Sequence, residues 1–303
     1  MTQKLAYFEF SNKVSIQPVP LSQADLGRYI AYLSRRLCFS SVRQYLNVVR
    51  LIHVEAGFAN PLDGNWYISS ILKGVRRVKG DSASQKLPVT LPLLRDIFKR
   101  LNVLSSFDRS FWAACLVAFF SFFRKSNLLI QSPESFDPSR HLCASDASFT
   151  QDGVVLTVRW SKVIQFKERT LEIPLPQVPD SLFCPSTALL SVFLDCPMPS
   201  SPVPLFRYKD GLRHRPLTQM LFTSKLQSCL VELGIGPQNY SGHSFRRGGA
   251  SFAMQCGLPV DLIKIQGDWS SNACERYLQP SFGLRRQVAV TLGQKAKDYF
   301  TNA

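Results

Sequence analysis

The stretch Tyr240–Leu278, YSGHSFRRGGASFAMQCGLPVDLIKIQGDWSSNACERYL, carries most of the information in this 303-residue chain. His243 and Arg246 stand three residues apart, so a helix opening here places them on one face. Gly248, Gly249 and Ala250 permit close helix packing. Gly257-Leu258-Pro259 reads as the stop of one helix and the start of the next. Trp269 lies 23 residues after Arg246, and Tyr277 lies eight after Trp269. An H-x-x-R pair alone is common by chance and means little. Its weight comes from what precedes and follows it.

Upstream, the sequence is mostly helical with one strand-rich interval. In residues 148–175, Val154, Leu156 and Val158 alternate with Val155, Thr157 and Arg159. Asp152-Gly153 is a turn signal, and Thr170, Leu171 and Ile173 resume beyond a loop around Ser161-Lys162. This predicts a small antiparallel sheet with Lys162 at a strand end or hairpin. Residues 110–130, SFWAACLVAFFSFFRKSNLLI, are apolar nearly all round and predict a helix buried in a large core, with Arg124 at its far end. A guanidinium among Phe122, Phe123 and Leu128 needs an anion, and a buried carboxylate would serve as well as a ligand. Thr90-Leu91-Pro92 opens an amphipathic helix. Pro174–Pro204 is proline-rich with a helix near Ser186–Leu194, and Thr218–Leu233 is helical again. KGDSASQKLP (79–88) has no periodicity and reads as a linker. The expected organisation is a helical unit over 1–80, a linker over 81–89 and a larger domain over 90–303.

The first unit is predicted to hold three helices: Ser22 to about Leu37, Ser40 or Ser41 to Gly57, and Asn65 to Val78. It is also densely basic. Residues 1–87 hold 12 Lys and Arg against 5 Asp and Glu, and the remainder holds 24 against 16. Arg28 and Arg35 share one helix face, and Arg43 and Arg50 another. For any single pair a solvated surface is the simpler reading, but several basic faces in one small unit suit DNA. Arg43, Arg50, and Arg76 and Arg77 of KGVRRVK (73–79) are the DNA-binding candidates. The chain as a whole has 36 Lys and Arg against 21 Asp and Glu, a net charge of +15, which calls for a polyanionic partner.

Other classes are disfavoured. Apolar residues make up 45% of the chain, too many for a disordered protein. The longest apolar run, Phe111–Phe123, has 13 residues, and a membrane span needs about 20. The N-terminus has no signal-peptide core, which points to an intracellular protein with no membrane partner. The eight cysteines are scattered with no C-x-x-C pair, and the four histidines do not cluster with them. Reduced cysteines, no metal site and no cofactor are expected.

The order Arg124, Lys162, His243-x-x-Arg246, Trp269, Tyr277 resembles the tyrosine recombinase, or phage-integrase-like, superfamily. The wording GHSFRRGGASFA and GDWSSNACERYL is most like recombinases of eukaryotic mobile elements, the DIRS-like retroelements and Cryptons. The resemblance covers nearly the whole chain. It implies a mainly α fold with a small antiparallel sheet: a helical core-binding domain, usually of four helices, plus a mixed α+β catalytic domain. Against that number the three helices read in residues 1–80 are one short, as if a segment preceded Met1. The resemblance implies double-stranded DNA as substrate, two protomers on a site and four in synapsis, a helix near Leu284–Phe300 that docks onto a neighbour, and nuclear residence. It also implies roles. Arg124 and Arg246 hold the nonbridging phosphate oxygens by charge-assisted bonds, and Trp269 offers an indole N–H to the same phosphate. His243 bonds the phosphate or accepts the nucleophile's proton. Tyr277 attacks to form a 3′-phosphotyrosyl link, and Lys162 protonates the leaving 5′-oxygen.

Alternatives stand beside these assignments. Tyr240 is nearer His243, but its spacing from Trp269 does not fit. Lys167 rivals Lys162 five residues on. Asn127 stands where many superfamily members carry an acidic residue, and the Trp-to-Tyr gap is eight where many bacterial and phage members have nine. Rival functions are a catalytically silent, domesticated DNA-binding protein and a type IB topoisomerase-like enzyme that cuts without sequence choice.

Overall fold

A computed structural model describes residues 2–80, 85–161, 164, 169–269, 286, 289 and 290. Lys162, Lys167 and Tyr277 lie outside the described residues, as does nearly all of the expected helix at Leu284–Phe300. The fold is mainly α with a small antiparallel sheet, and it divides into two units, Met1–Gln85 and Lys86–Ala303. No helix among the described residues is long and apolar enough to cross a membrane.

The first unit holds four described helices, α1 (Gln3–Lys13), α2 (Gln23–Ser34), α3 (Phe39–Glu55) and α4 (Trp66–Lys79). The first of them corrects the three-helix expectation. In α1, Tyr7, Phe10 and Ser11 face inward while Leu5 is exposed. Apolar residues therefore fall on both sides and a serine on the buried one, so no helical stripe shows in the sequence. The Tyr7 hydroxyl donates to the Pro18 carbonyl at 2.6 Å and ties the helix down. Two boundaries also move. Helix α2 stops at Ser34, not Leu37, and α3 begins one residue before Ser40, with Cys38 in place of a serine cap. Ser22 and Asn65 cap α2 and α4, their side chains accepting from Asp25 N–H and Ile68 N–H.

The second unit is built around α6 (Ser106–Phe120), preceded by α5 (Leu91–Phe98). Every residue from Ser110 to Phe119 is buried, and each large side chain in that run contributes roughly 1.5–3 kcal/mol of burial. The 110–130 segment is not one helix, however. Helix α6 ends at Phe120, Phe122 takes a left-handed φ of 54°, and a short α7 (Lys125–Leu128) follows. Strands β1 (Ala147–Thr150), β2 (Gly153–Val158) and β3 (Leu171–Pro176) form one antiparallel sheet in the order β1-β2-β3, with Val154 opposite Leu175 and Leu156 opposite Ile173. Then come α8 (Pro185–Asp195), a hairpin of β4 (Arg207–Asp210) and β5 (Arg213–Pro216), α9 (Gln219–Glu232), α10 (Gly242–Gln255) and α11 (Val260–Gln266). The hairpin was not read from the sequence. Its short polar strands, RYKD and RHRP, are exposed apart from the buried Arg207 and the half-buried Tyr208 and Pro216, and carry no apolar alternation.

Candidate active site

Three segments of the second unit meet at the C-terminal end of α6. The turn after that helix is one, the N-terminal half of α10 is the second, and the end of α11 is the third. Two glycines make the approach possible. A Cβ on Gly248 would stand 1.8 Å from the Val89 carbonyl oxygen, and one on Gly249 would stand 2.0 Å from the Phe119 carbonyl oxygen. Helix α10 thus lies directly against backbone on two sides. The turn is held from both neighbours. Gln266 donates its side-chain amide to the Phe120 carbonyl at 3.0 Å, and Arg246 Nη1 donates to the Phe122 carbonyl. A left-handed phenylalanine is uncommon and costs about 1–3 kcal/mol. These bonds, and the packing of Phe122 among Ala250, Ala253, Ile263 and Trp269, keep it in place.

Arg246 is 2% exposed. Besides Phe122 it reaches the Gly267 carbonyl through Nη2 at 2.9 Å, and its guanidinium carbon lies 3.8 Å from the centre of the Trp269 ring. Trp269 folds back over Gly267, where a Cβ would come within 1.9 Å of the indole. Asp268 makes that reversal with φ 49° and pairs with Arg169 just before β3. Aspartate tolerates this conformation better than most residues.

Arg124 leaves the same turn in extended conformation, as the residue before α7, and is half-buried. No carboxylate among the described residues pairs with it. Three residues on, Asn127 donates its backbone N–H to the Arg124 carbonyl at 2.9 Å.

His243 is the second residue of α10, exposed, with its backbone N–H donating to the Ser241 cap at 3.2 Å. The residue is exposed overall, but its ring is crowded enough that desolvation, and then the charges of Arg124, Arg246 and Lys125, push its pKa below the ordinary 6.5. Arg124, His243, Arg246 and Trp269 are thus drawn to one electropositive spot, with Lys125 added to them. In the free protein the imidazole is expected to titrate below pH 6.5. Because folding favours its neutral form, its stabilising contribution is fully present above that pH and is lost as pH falls through the lowered folded value. An NMR titration of the ring protons should show this midpoint, and Arg124→Ala should raise it. An unmoved midpoint in the variant would take Arg124 out of the site.

In the first unit Arg43 and Arg77 are exposed, and Arg50 donates Nε to the Asn47 amide oxygen at 3.0 Å. Arg76 is exposed with its guanidinium carbon 5.9 Å from the centre of the Phe39 ring. Arg28 is ion-paired with Asp25 at 3.0 Å. If Arg43 and Arg50 each neutralise a phosphate, replacing both by alanine should flatten the log–log salt dependence of DNA binding by about 1.8. An unchanged slope would remove α3 from the interface.

Sequence reasoning missed Lys125, Gln266 and the Arg169–Asp268 pair. Only Asp268 carried a local signal, a turn-tolerant residue after Gly267.

No protein-family model matches the chain, and no curated protein sequence does. Solved structures do. A variant of the Tn1549 transposon integrase in complex with transposon right end DNA superposes with a TM-score of 0.60 at 12% identity, covering 96% of this chain and 92% of that one. The XerH site-specific recombinase bound to palindromic difH substrate gives 0.59 at 13% identity, covering 95% and 76%. The chain has the tyrosine recombinase fold. The Tn1549 integrase in complex with circular intermediate DNA superposes at 0.55 with 12% identity, over 91% of this chain and 87% of that one. At such identities the likeness to tyrosine recombinases is one of fold, and it spans both units of the chain.

Proposed function

We propose that this protein is a site-specific DNA recombinase of the tyrosine type. The observation that carries the reading is the gathering of Arg124, His243, Arg246 and Trp269 at one turn, with cations in excess and no described carboxylate on Arg124. Such a spot suits a phosphodiester, whose negative charge deepens as a fifth oxygen approaches. In this scheme the Tyr277 oxygen attacks the phosphorus and the bond to the 5′-oxygen breaks. Arg124 and Arg246 hold the nonbridging oxygens, and His243 accepts the tyrosine proton. Lys162 protonates the departing 5′-oxygen. The bond energy stays in the phosphotyrosine, so the strand reseals without an external energy source.

The first unit would serve as the core-binding domain and the second as the catalytic domain. Two protomers would act on a site and four in synapsis. The motif wording supports a eukaryotic mobile element of the DIRS-like or Crypton kind, acting in the nucleus to integrate or excise its DNA.

Covalent trapping tests this. Wild type and Tyr277→Phe are incubated with nicked duplexes bearing the element's termini, then run on a denaturing gel. An adduct in wild type alone is expected. An adduct in both would mean that another residue is the nucleophile. None in either, on DNA that the protein binds, would favour the silent DNA-binding reading. Relaxation of plasmids regardless of sequence would favour a topoisomerase.

A further inference from the structure

Trp269 presents the face of its indole to Arg246. The guanidinium carbon stands 3.8 Å from the ring centre, close to van der Waals stacking and well inside the range of a cation–π contact. The chain around it is shaped for that stack. Gly267 leaves room for the ring to fold back, and a Cβ there would collide with it at 1.9 Å. Asp268 reverses the backbone and is anchored to Arg169. Phe122 flanks the indole, ring centres 6.1 Å apart. The carbonyls of Phe122 and Gly267 grip two corners of the same guanidinium. The arginine is thus held in its plane by two acceptors and from one face by an aromatic ring.

We infer that Trp269 is a positioning residue that acts through Arg246, by stacking, and not chiefly as an N–H donor to the phosphate. The inference rests on the proposed reading that Arg246 binds the scissile phosphate. The two roles need different chemistry at position 269. Stacking needs a broad π face and no N–H. Donation needs the N–H and little of the face. Phenylalanine keeps the first, and histidine keeps the second with a smaller ring.

The test uses the full chain and a duplex selected from a random-sequence pool by affinity for the wild-type protein. A neutral methylphosphonate is placed in turn at each phosphate. The position at which wild type loses affinity and Arg246→Ala does not marks the phosphate that Arg246 reads, and the loss there is expected to be about tenfold or more in wild type. Trp269→Phe should keep that preference for the charged phosphate and form adduct within about 10-fold of wild type. Trp269→His and Trp269→Ala should lose the preference as Arg246→Ala does, and form adduct about 100-fold more slowly. On the methylphosphonate duplex these variants should bind as wild type does, because no charge is left for the arginine to meet. That recovery separates positioning from loss of fold. The opposite order, with His retaining the preference and Phe losing it, would overturn the inference. If wild type forms no adduct yet keeps the preference, and Phe and His divide as stated, the recombinase reading falls and the positioning role stands.

Discussion

Arg246→Lys is expected to lower the rate of covalent adduct formation by about 10²- to 10³-fold while leaving the protein folded. The reason lies in the shape of the guanidinium. Arginine presents five N–H groups in a plane, and here that plane already spans two turns, through Phe122 and Gly267, while lying against Trp269. A lysine ammonium is a single point of charge. It can bond one of the two carbonyls, but it cannot join both and still present a flat pair of donors to a phosphate. The positive charge survives, so DNA affinity should change far less than the rate. Alanine is a poorer test of chemistry, because it leaves two buried carbonyls without a partner, each costing about 1–3 kcal/mol. Single-turnover trapping beside a thermal melt separates the two effects. A lysine variant as fast as wild type would show that charge alone is needed at 246 and would remove the bidentate role.

Gly249→Ala is expected to destabilise the second unit by about 3 kcal/mol or more, a fall in Tm of about 6–12 °C for a domain of this size. Helix propensity alone argues the other way, since alanine is favoured over glycine in a helix interior by about 1 kcal/mol. Packing decides the sign. The added methyl would sit 2.0 Å from the Phe119 carbonyl oxygen and 2.6 Å from the Phe122 ring, and neither is the free end of a flexible side chain. Relief requires α10 to draw back from the end of α6. That would pull Arg246 from the Phe122 carbonyl, so adduct formation should fall with stability. Gly74→Ala is the matched control. It lies within α4 with nothing within 4 Å of its would-be Cβ, and it should be neutral or slightly stabilising. A Gly249→Ala protein that melts at or above wild type would mean that the two helices are not in contact as described.

The difference between those glycines separates what was legible in the sequence from what was not. Local signals had local causes. Ser22, Asn65 and Thr90 announce helices because a short polar side chain before an apolar-periodic run can cap the first free N–H groups. The alternation of Val154, Leu156 and Val158 announces a strand because successive side chains point to opposite faces. Spacing alone put His243 and Arg246 on one face, and their order with Arg124, Trp269 and Tyr277 suggested the chemistry. Signals failed where the cause lay far along the chain. Helix α1 is made by a core that accepts Ser11 inside, and no periodicity records that. The break after Phe120 is invisible in a run of phenylalanines, because a left-handed Phe122 is sustained by Arg246, 124 residues away. The sequence by itself determined the helices with a periodic apolar face and a cap, the β1–β3 strands, and which residue types are available for phosphate chemistry. Only the tertiary structure decided where Arg124 emerges, that His243 sits among three cations, and that Trp269 lies on Arg246. Those outcomes depend on close contact between backbones distant in sequence, and such contact is set by packing, not by the preferences of any one segment.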